Sequence, residues 1–148
     1  MDGRYPQPVA DIVVATDSIS VFDQINSVVG GPDATVRWIR SGLAVREELN
    51  ARPTDLAIVD MQIGTMGGVA VSFDLRLEAD AGRLIRCPVL LVLDRRADVF
   101  LARRSGAEGW ILKPLDPIRL RRAVAALLAG RTWHDQSFAP DPVAVPVK

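Results

Sequence analysis

The chain has 148 residues, enough for one domain of ordinary size with a short tail, and 49% of them are hydrophobic, which excludes a wholly disordered polymer. Eighteen basic and eighteen acidic residues give a formal net charge of zero, which argues against a generic binder of nucleic acid or anionic membrane. No apolar run approaches the roughly 20 residues of a membrane span, no signal-peptide pattern is visible, and one cysteine (Cys87) with one histidine (His134) makes neither an internal disulfide nor a Cys/His zinc site, so a reducing cytoplasm is the expected location.

After an N-terminal extension, residues 1–9, the periodicity alternates. Ile12 to Thr16 is a short apolar run that reads as a buried strand. Asp17 and Ser18 are good caps for the helix that follows, on which Ile19, Phe22 and Ile25 recur at helical spacing until Gly30-Gly31-Pro32 stops it. Asp17 is expected to do the capping. Ala34 to Arg40 alternates like a strand, and Leu43 to Ala51 reads as a second helix ended by Pro53. Leu56 to Val59 is a third-position buried strand running into Asp60. A loop with Gly64, Gly67 and Gly68 leads to a helix from Val69 to about Ala81, with Val69, Phe73, Leu75 and Leu77 as its expected core positions. Pro88 to Leu93 is a strand, Ala97 to Ser105 a short helix closed by Gly106, and Gly109 to Leu112 a strand. Pro117 to Ala129 is a last helix with proline in its first turn and Gly130 after its end.

Five strand–helix units in about 120 residues predict an α/β fold: a doubly wound, five-stranded parallel sheet with helices on both faces, in the flavodoxin-like order 2-1-3-4-5. The domain is expected over residues 10–130. Residues 131–148 carry Pro140, Pro142 and Pro146 without any period and read as a Pro-rich tail. Its aromatic residues, Trp133 and Phe138, are expected to dock on an apolar surface, because a solvated linker needs neither.

Ligands of such sheets bind at the carboxyl ends of the strands, near the reversal of strand order. Those ends carry Ala15-Thr16-Asp17, Asp60, Leu93-Asp94 and Lys113-Pro114, so a carboxylate and a lysine converge from positions 53 apart. Asp60 reads equally as a nucleophile or metal ligand and as a strand-end residue capping the turn from Met61 to Gly64. Lys113 is one of two lysines against sixteen arginines, which suits a role for a point charge on a flexible stem; a solvated strand end is the equal alternative.

Three stretches now carry a resemblance: LAIVDMQIGTMGGVAV at 56–71, CPVLLVLDR at 87–95 and SGAEGWILKPLD at 105–116. In this order and spacing they resemble the receiver domain of two-component response regulators, over roughly Ala10 to Gly130. The resemblance implies that Asp60 is the phosphoacceptor, that Lys113 contacts the phosphoryl group, and that Trp110 stands at the aromatic switch position. It also implies that the backbone carbonyl of Gln62 helps hold Mg²⁺ and that the bond before Pro114 is cis. The sequence departs from the pattern at the two Mg²⁺-binding acids, which are Ala15 and Thr16 with Asp17 one residue late. Leu93 replaces the switch Ser/Thr, Gly64 the loop proline, and Gly67 the Asp before Gly68.

Mg²⁺ is usually held by one or two carboxylates with phosphate oxygens. Ala15 offers nothing and Thr16 only a hydroxyl, so metal binding through Asp17, Asp60 and Gln62 is expected to be weak or absent, and no cofactor is required. The neutralised pair Asp60–Lys113 is expected to leave no unpaired negative charge. The leading expectation is a stand-alone, atypical receiver that signals through protein–protein contacts and is not an enzyme, with phosphorylation at Asp60 weakened. A working phosphoacceptor in a phosphorelay is the alternative. A flavodoxin-like small-ligand module is a third, disfavoured because Ala15 to Ser20 contains no glycine. Residues 94–131 hold nine basic against four acidic residues, among them Arg95, Arg96, Arg103, Arg104, Arg119, Arg121 and Arg122. The resemblance implies docking and dimerisation through the face of the fourth helix, fifth strand and fifth helix, so this arginine-rich face is the expected contact for a protein partner, a histidine kinase or a second copy; the alternative is a solvated face on an arginine-biased protein. No nucleic acid or membrane partner is expected.

Overall fold

The computed structural model describes residues 9–136. Its sheet is parallel throughout and runs β2-β1-β3-β4-β5-β6. The strands are β1 (Ala10–Ala15), β2 (Ala34–Ile39), β3 (Leu56–Asp60), β4 (Val89–Leu93), β5 (Gly109–Leu112) and a short β6 (Trp133–His134). The helices are α1 (Ile19–Val29), α2 (Ala44–Ala51), α3 (Gly68–Asp80), α4 (Val99–Ser105, after a 3-10 turn at Arg96–Asp98) and α5 (Pro117–Leu128). The expected order of the first five strands is present, with a sixth strand added at the edge.

The central strands are apolar on both sides because both sides are covered. Val13, Val59 and Leu91 belong to one core with Val45, Leu75 and Ala102 of α2, α3 and α4. Ile12, Ile58 and Leu90 belong to a second with Ile25 of α1 and Leu120 and Leu127 of α5. Burying a Val, Leu or Ile side chain stabilises the fold by about 1.5–3 kcal/mol each, and β3 and β4 are buried along their whole lengths. This double burial is why the parallel strands read as continuous apolar runs.

Two local expectations are corrected. Ser18, not Asp17, caps α1, its side chain accepting the Val21 N–H. Helix α3 buries Val71, Ser72, Leu75 and Glu78, while Phe73 and Leu77 are exposed and Val69 is only half-buried. The helix is apolar around much of its circumference, so its sequence does not single out the inward face.

The sixth strand comes from the tail. Without it, β5 would leave a row of unpaired backbone groups at the sheet edge. Trp133 N–H donates to Glu108 O at 3.2 Å and Asp135 N–H to Trp110 O at 3.2 Å. Asp135 is buried and accepts the Leu112 N–H at 2.9 Å and Arg119 at 2.6 Å. Gly109 admits this approach, since a Cβ there would lie 2.7 Å from Trp133 O. His134 stacks on Trp110, with ring centroids 4.0 Å apart. Trp133 packs against the core of α1 and α5, as expected of it; Phe138 lies outside the described residues.

Replacing Asp135 by Ala removes the acceptor of a buried N–H and a partner of Arg119, and is expected to lower the unfolding free energy by ~1–3 kcal/mol, measured by urea titration. Ending the chain at Gly130 should cost at least as much. His134 adds a pH dependence. Burial, and then the neighbouring Arg103, holds its pKa below the ordinary value. The fold favours neutral His134, so its contribution is complete above the unfolded value of about 6.5 and is lost as pH falls through that value toward the lower folded one. The parent should lose stability relative to His134→Gln across that window.

Candidate functional site

Three strand ends meet at the carboxyl edge. Asp60 closes β3, Asp94 follows β4, and Lys113 follows β5. Backbone bonds from Met61 N to Val92 O (2.9 Å) and from Lys113 N to Leu93 O (2.9 Å) hold these ends level. Gly68 lets α3 start against this edge, since a Cβ there would lie 2.7 Å from Asp60 O.

Asp60 is 2% exposed and fully engaged. Its Oδ2 accepts the Thr16 hydroxyl at 2.8 Å. Its Oδ1 accepts the Gln62 N–H at 3.1 Å and Lys113 Nζ at 3.2 Å. The capping reading of Asp60 is realised at the Gln62 N–H, and the carboxylate also pairs with Lys113. Thr16 is also buried, and its hydroxyl accepts the Ser18 N–H at 3.1 Å.

Lys113 has a second partner, Asp94 Oδ1 at 3.0 Å. The expectation of an isolated neutral pair is therefore corrected: two carboxylates share one ammonium, leaving a formal excess of negative charge. Strand β4 lies between β3 and β5, so the residue after it stands beside the path of any side chain spanning them. Asp94 Oδ2 is buried and has no hydrogen-bond partner among the described residues. Burial opposes the Lys113 charge, but the hydrogen bond it donates to Asp94, the charge of Asp60 and the hydrogen bond it donates to Asp60 outweigh that and raise the lysine's pKa. The Lys113–Pro114 bond is cis, as the resemblance implied.

The other named residues fall as follows. Asp17 Oδ2 accepts the Gly64 N–H at 3.0 Å, tying the end of β1 to the loop after Asp60. Leu93 is fully buried and shares a core with Trp110, which is itself 3% exposed beneath His134 and 5.8 Å from the Arg103 guanidinium. Sequence reasoning placed Asp94 at the strand end without giving it a part. Its position next to Leu93 on the intervening strand was the available signal. A cavity of about 610 Å³ lies at the opposite edge of the sheet, among Thr54, Asp55, Cys87 and Pro88, and none of the residues above lines it.

A model of the response regulator receiver domain matches residues 12–125. The chain belongs to the response regulator receiver family. An uncharacterized response regulatory protein of Mycobacterium tuberculosis (strain H37Rv) is 32% identical to it over 124 residues, covering 79% of this chain and 90% of that protein. Response regulator protein PmrA of Pseudomonas aeruginosa is 29% identical over 123 residues, covering 82% of this chain and 53% of that longer protein. Among solved structures, the receiver domain of a signal transduction histidine kinase from Syntrophus aciditrophicus superposes with a TM-score of 0.72 at 23% identity, covering 94% of this chain and 100% of that one. The isolated domain of RcsB from Salmonella enterica, in the presence of the phosphomimetic BeF₃⁻, gives 0.70 at 17%, covering 87% and 95%. These two share the receiver fold. Receivers are signalling modules of two-component systems, and they interact with histidine kinases and other proteins. No helix among the described residues is long and apolar enough to cross a membrane.

Thr16, which the resemblance sets at an acid position of the family pattern, donates to Asp60. Thr16→Val would leave buried Asp60 Oδ2 without its donor and the Ser18 N–H without its acceptor. The expected loss is about 1–3 kcal/mol of stability, read by chemical denaturation, with α1 fraying at its first turn in hydrogen exchange.

Proposed function

We propose that this receiver is an atypical one: Asp60 takes a phosphoryl group slowly, and signalling runs through protein contacts on the α4–β5–α5 face. The observation that carries the reading is the Asp60–Lys113 contact at 3.2 Å on the carboxyl edge. It joins a nucleophile to a cation for the transferring group. The chemistry around it is weaker than the family pattern. Ala15 and Thr16 supply no carboxylate, and Leu93 supplies no hydroxyl to bind a phosphoryl oxygen. Phosphoryl transfer depends on positioning and charge stabilisation, so these losses act on its rate.

The residues fit Mg²⁺ poorly. Both Asp60 oxygens already accept hydrogen bonds, and Asp17 accepts the Gly64 N–H. Among the described residues no cluster of three His, Cys, Asp or Glu side chains is arranged for a metal.

The partner surface is basic on its helical flanks and includes the tail. Arg103 and Arg104 are exposed on α4 and Arg122 on α5, whereas Arg121 borders the groove between α1 and α5. Between them β6 covers the β5 edge, so a kinase, an acidic protein or a second copy would meet His134 along with the arginines. A cytoplasmic setting suits these partners. The small-ligand reading has little support at the strand ends, where Asp60, Thr16 and Lys113 bond to groups of the chain itself.

Incubation with acetyl phosphate and Mg²⁺, followed by intact mass, tests the reading. The expected result is slow, partial addition of one phosphoryl group, absent in Asp60→Asn, with little dependence on millimolar Mg²⁺. Rapid stoichiometric addition driven by Mg²⁺ and lost in Asp17→Ala would instead establish an ordinary phosphorelay receiver. No addition at all would leave Asp60 a structural residue.

A further inference from the structure

Lys113 reaches Asp60 past the end of β4, and Asp94 sits there. The ammonium is 3.0 Å from Asp94 and 3.2 Å from Asp60, so the carboxylate without the proposed chemistry holds the nearer place. Asp94 gains little else in that position. Its Oδ2 is buried with no hydrogen-bond partner among the described residues, an arrangement that opposes folding. Its Oδ1 is occupied only by Lys113 in the described contacts.

We propose that Asp94 gates the Asp60 site: it holds the Lys113 ammonium in the unmodified protein and must release it before Asp60 can keep a phosphoryl group. The inference rests on the reading of Asp60 as a slow phosphoacceptor. In the transfer, an Asp60 carboxylate oxygen attacks the phosphorus of acetyl phosphate. A P–O bond forms to Asp60, the P–O bond to the acetyl group breaks, and its electron pair leaves with acetate. The product carries a phosphoryl group of about −1.5 to −2 charge where a single negative charge stood. That group requires the ammonium, and it arrives beside a second carboxylate already bound to it. With Leu93 offering no donor, Lys113 is the charged partner within the site that an incoming phosphoryl oxygen can recruit, and Asp94 competes for it directly.

The test compares the parent with Asp94→Asn, Asp94→Ala and Asp94→Glu under acetyl phosphate, followed by intact mass with time, with Asp60→Asn as the blank. Urea unfolding of each variant identifies any that fail to fold, and Asp94→Ser stands in for one that does. Asn and Ala remove the competing charge and should speed labelling about tenfold, the factor that ~1.4 kcal/mol of barrier represents. Glu retains a carboxylate and should stay near the parent rate. Equal rates in all four folded proteins would overturn the gate while leaving Asp60 a phosphoacceptor. Slower labelling in Asn and Ala would overturn it also, since Asp94 would then be assisting transfer. Failure of every variant to label would remove the phosphoacceptor reading and the gate with it.

Discussion

The Lys113 ammonium sits between carboxylates at the ends of β3 and β4, and the arrangement of the carboxyl edge depends on it. Asp60 is almost wholly enclosed, and a buried carboxylate is tolerated only when paired and hydrogen-bonded. Thr16 and Gln62 supply neutral donors, whereas Lys113 supplies the charge. Breaking such a pair from one side is more damaging than its net contribution suggests, because the other charge stays behind. The same contact links the ends of β3, β4 and β5, which backbone hydrogen bonds already hold level.

Strand β5 carries this site at one end and the tail strand along its outer edge. The backbone of Trp110 accepts from Asp135, Leu112 N–H donates to the Asp135 side chain, and Lys113 is the next residue. The surface that sequence reasoning identified as an arginine-rich docking face is thus a composite. Its central strand is already paired inside the chain, and its aromatic residue is already stacked. A partner docking there would meet side chains, because β6 and Asp135 already bond to the backbone of the β5 edge.

The strand order was legible because double burial writes itself into the sequence as uninterrupted apolar runs, and Asp60 and Lys113 were legible because strand ends of a parallel sheet converge. What escaped notice shares a physical cause. Phe73 and Leu77 are apolar residues on a helix whose other faces are also apolar, so period alone could not orient it. Asp94 depends on a neighbour supplied by the next strand, and Asp135 on an edge N–H and an arginine of α5; neither has a local pattern. The choice between Asp17 and Ser18 as cap was settled by a third element, the Gly64 loop, which takes the Asp17 carboxylate.

Thr16 clarifies what kind of site this is. A carboxylate at that position would face Asp60 as a like charge and would call for an external cation between them. A hydroxyl reverses the polarity: it donates to Asp60 and accepts from the Ser18 N–H, so both sides are satisfied within the chain. The cost falls on reactivity. If the attacking oxygen is Oδ1, which accepts from both Gln62 and Lys113, it must weaken one of those bonds, and a hydrogen bond to a charged group contributes about 1.5–3 kcal/mol. At roughly tenfold in rate for each 1.36 kcal/mol, one such bond left unrecovered in the transition state slows transfer by one to two orders of magnitude. With both Asp60 oxygens and Thr16 bonded within the chain, the unmodified state is favoured, and the proposed slowness of Asp60 follows from the interactions that allow it to be buried.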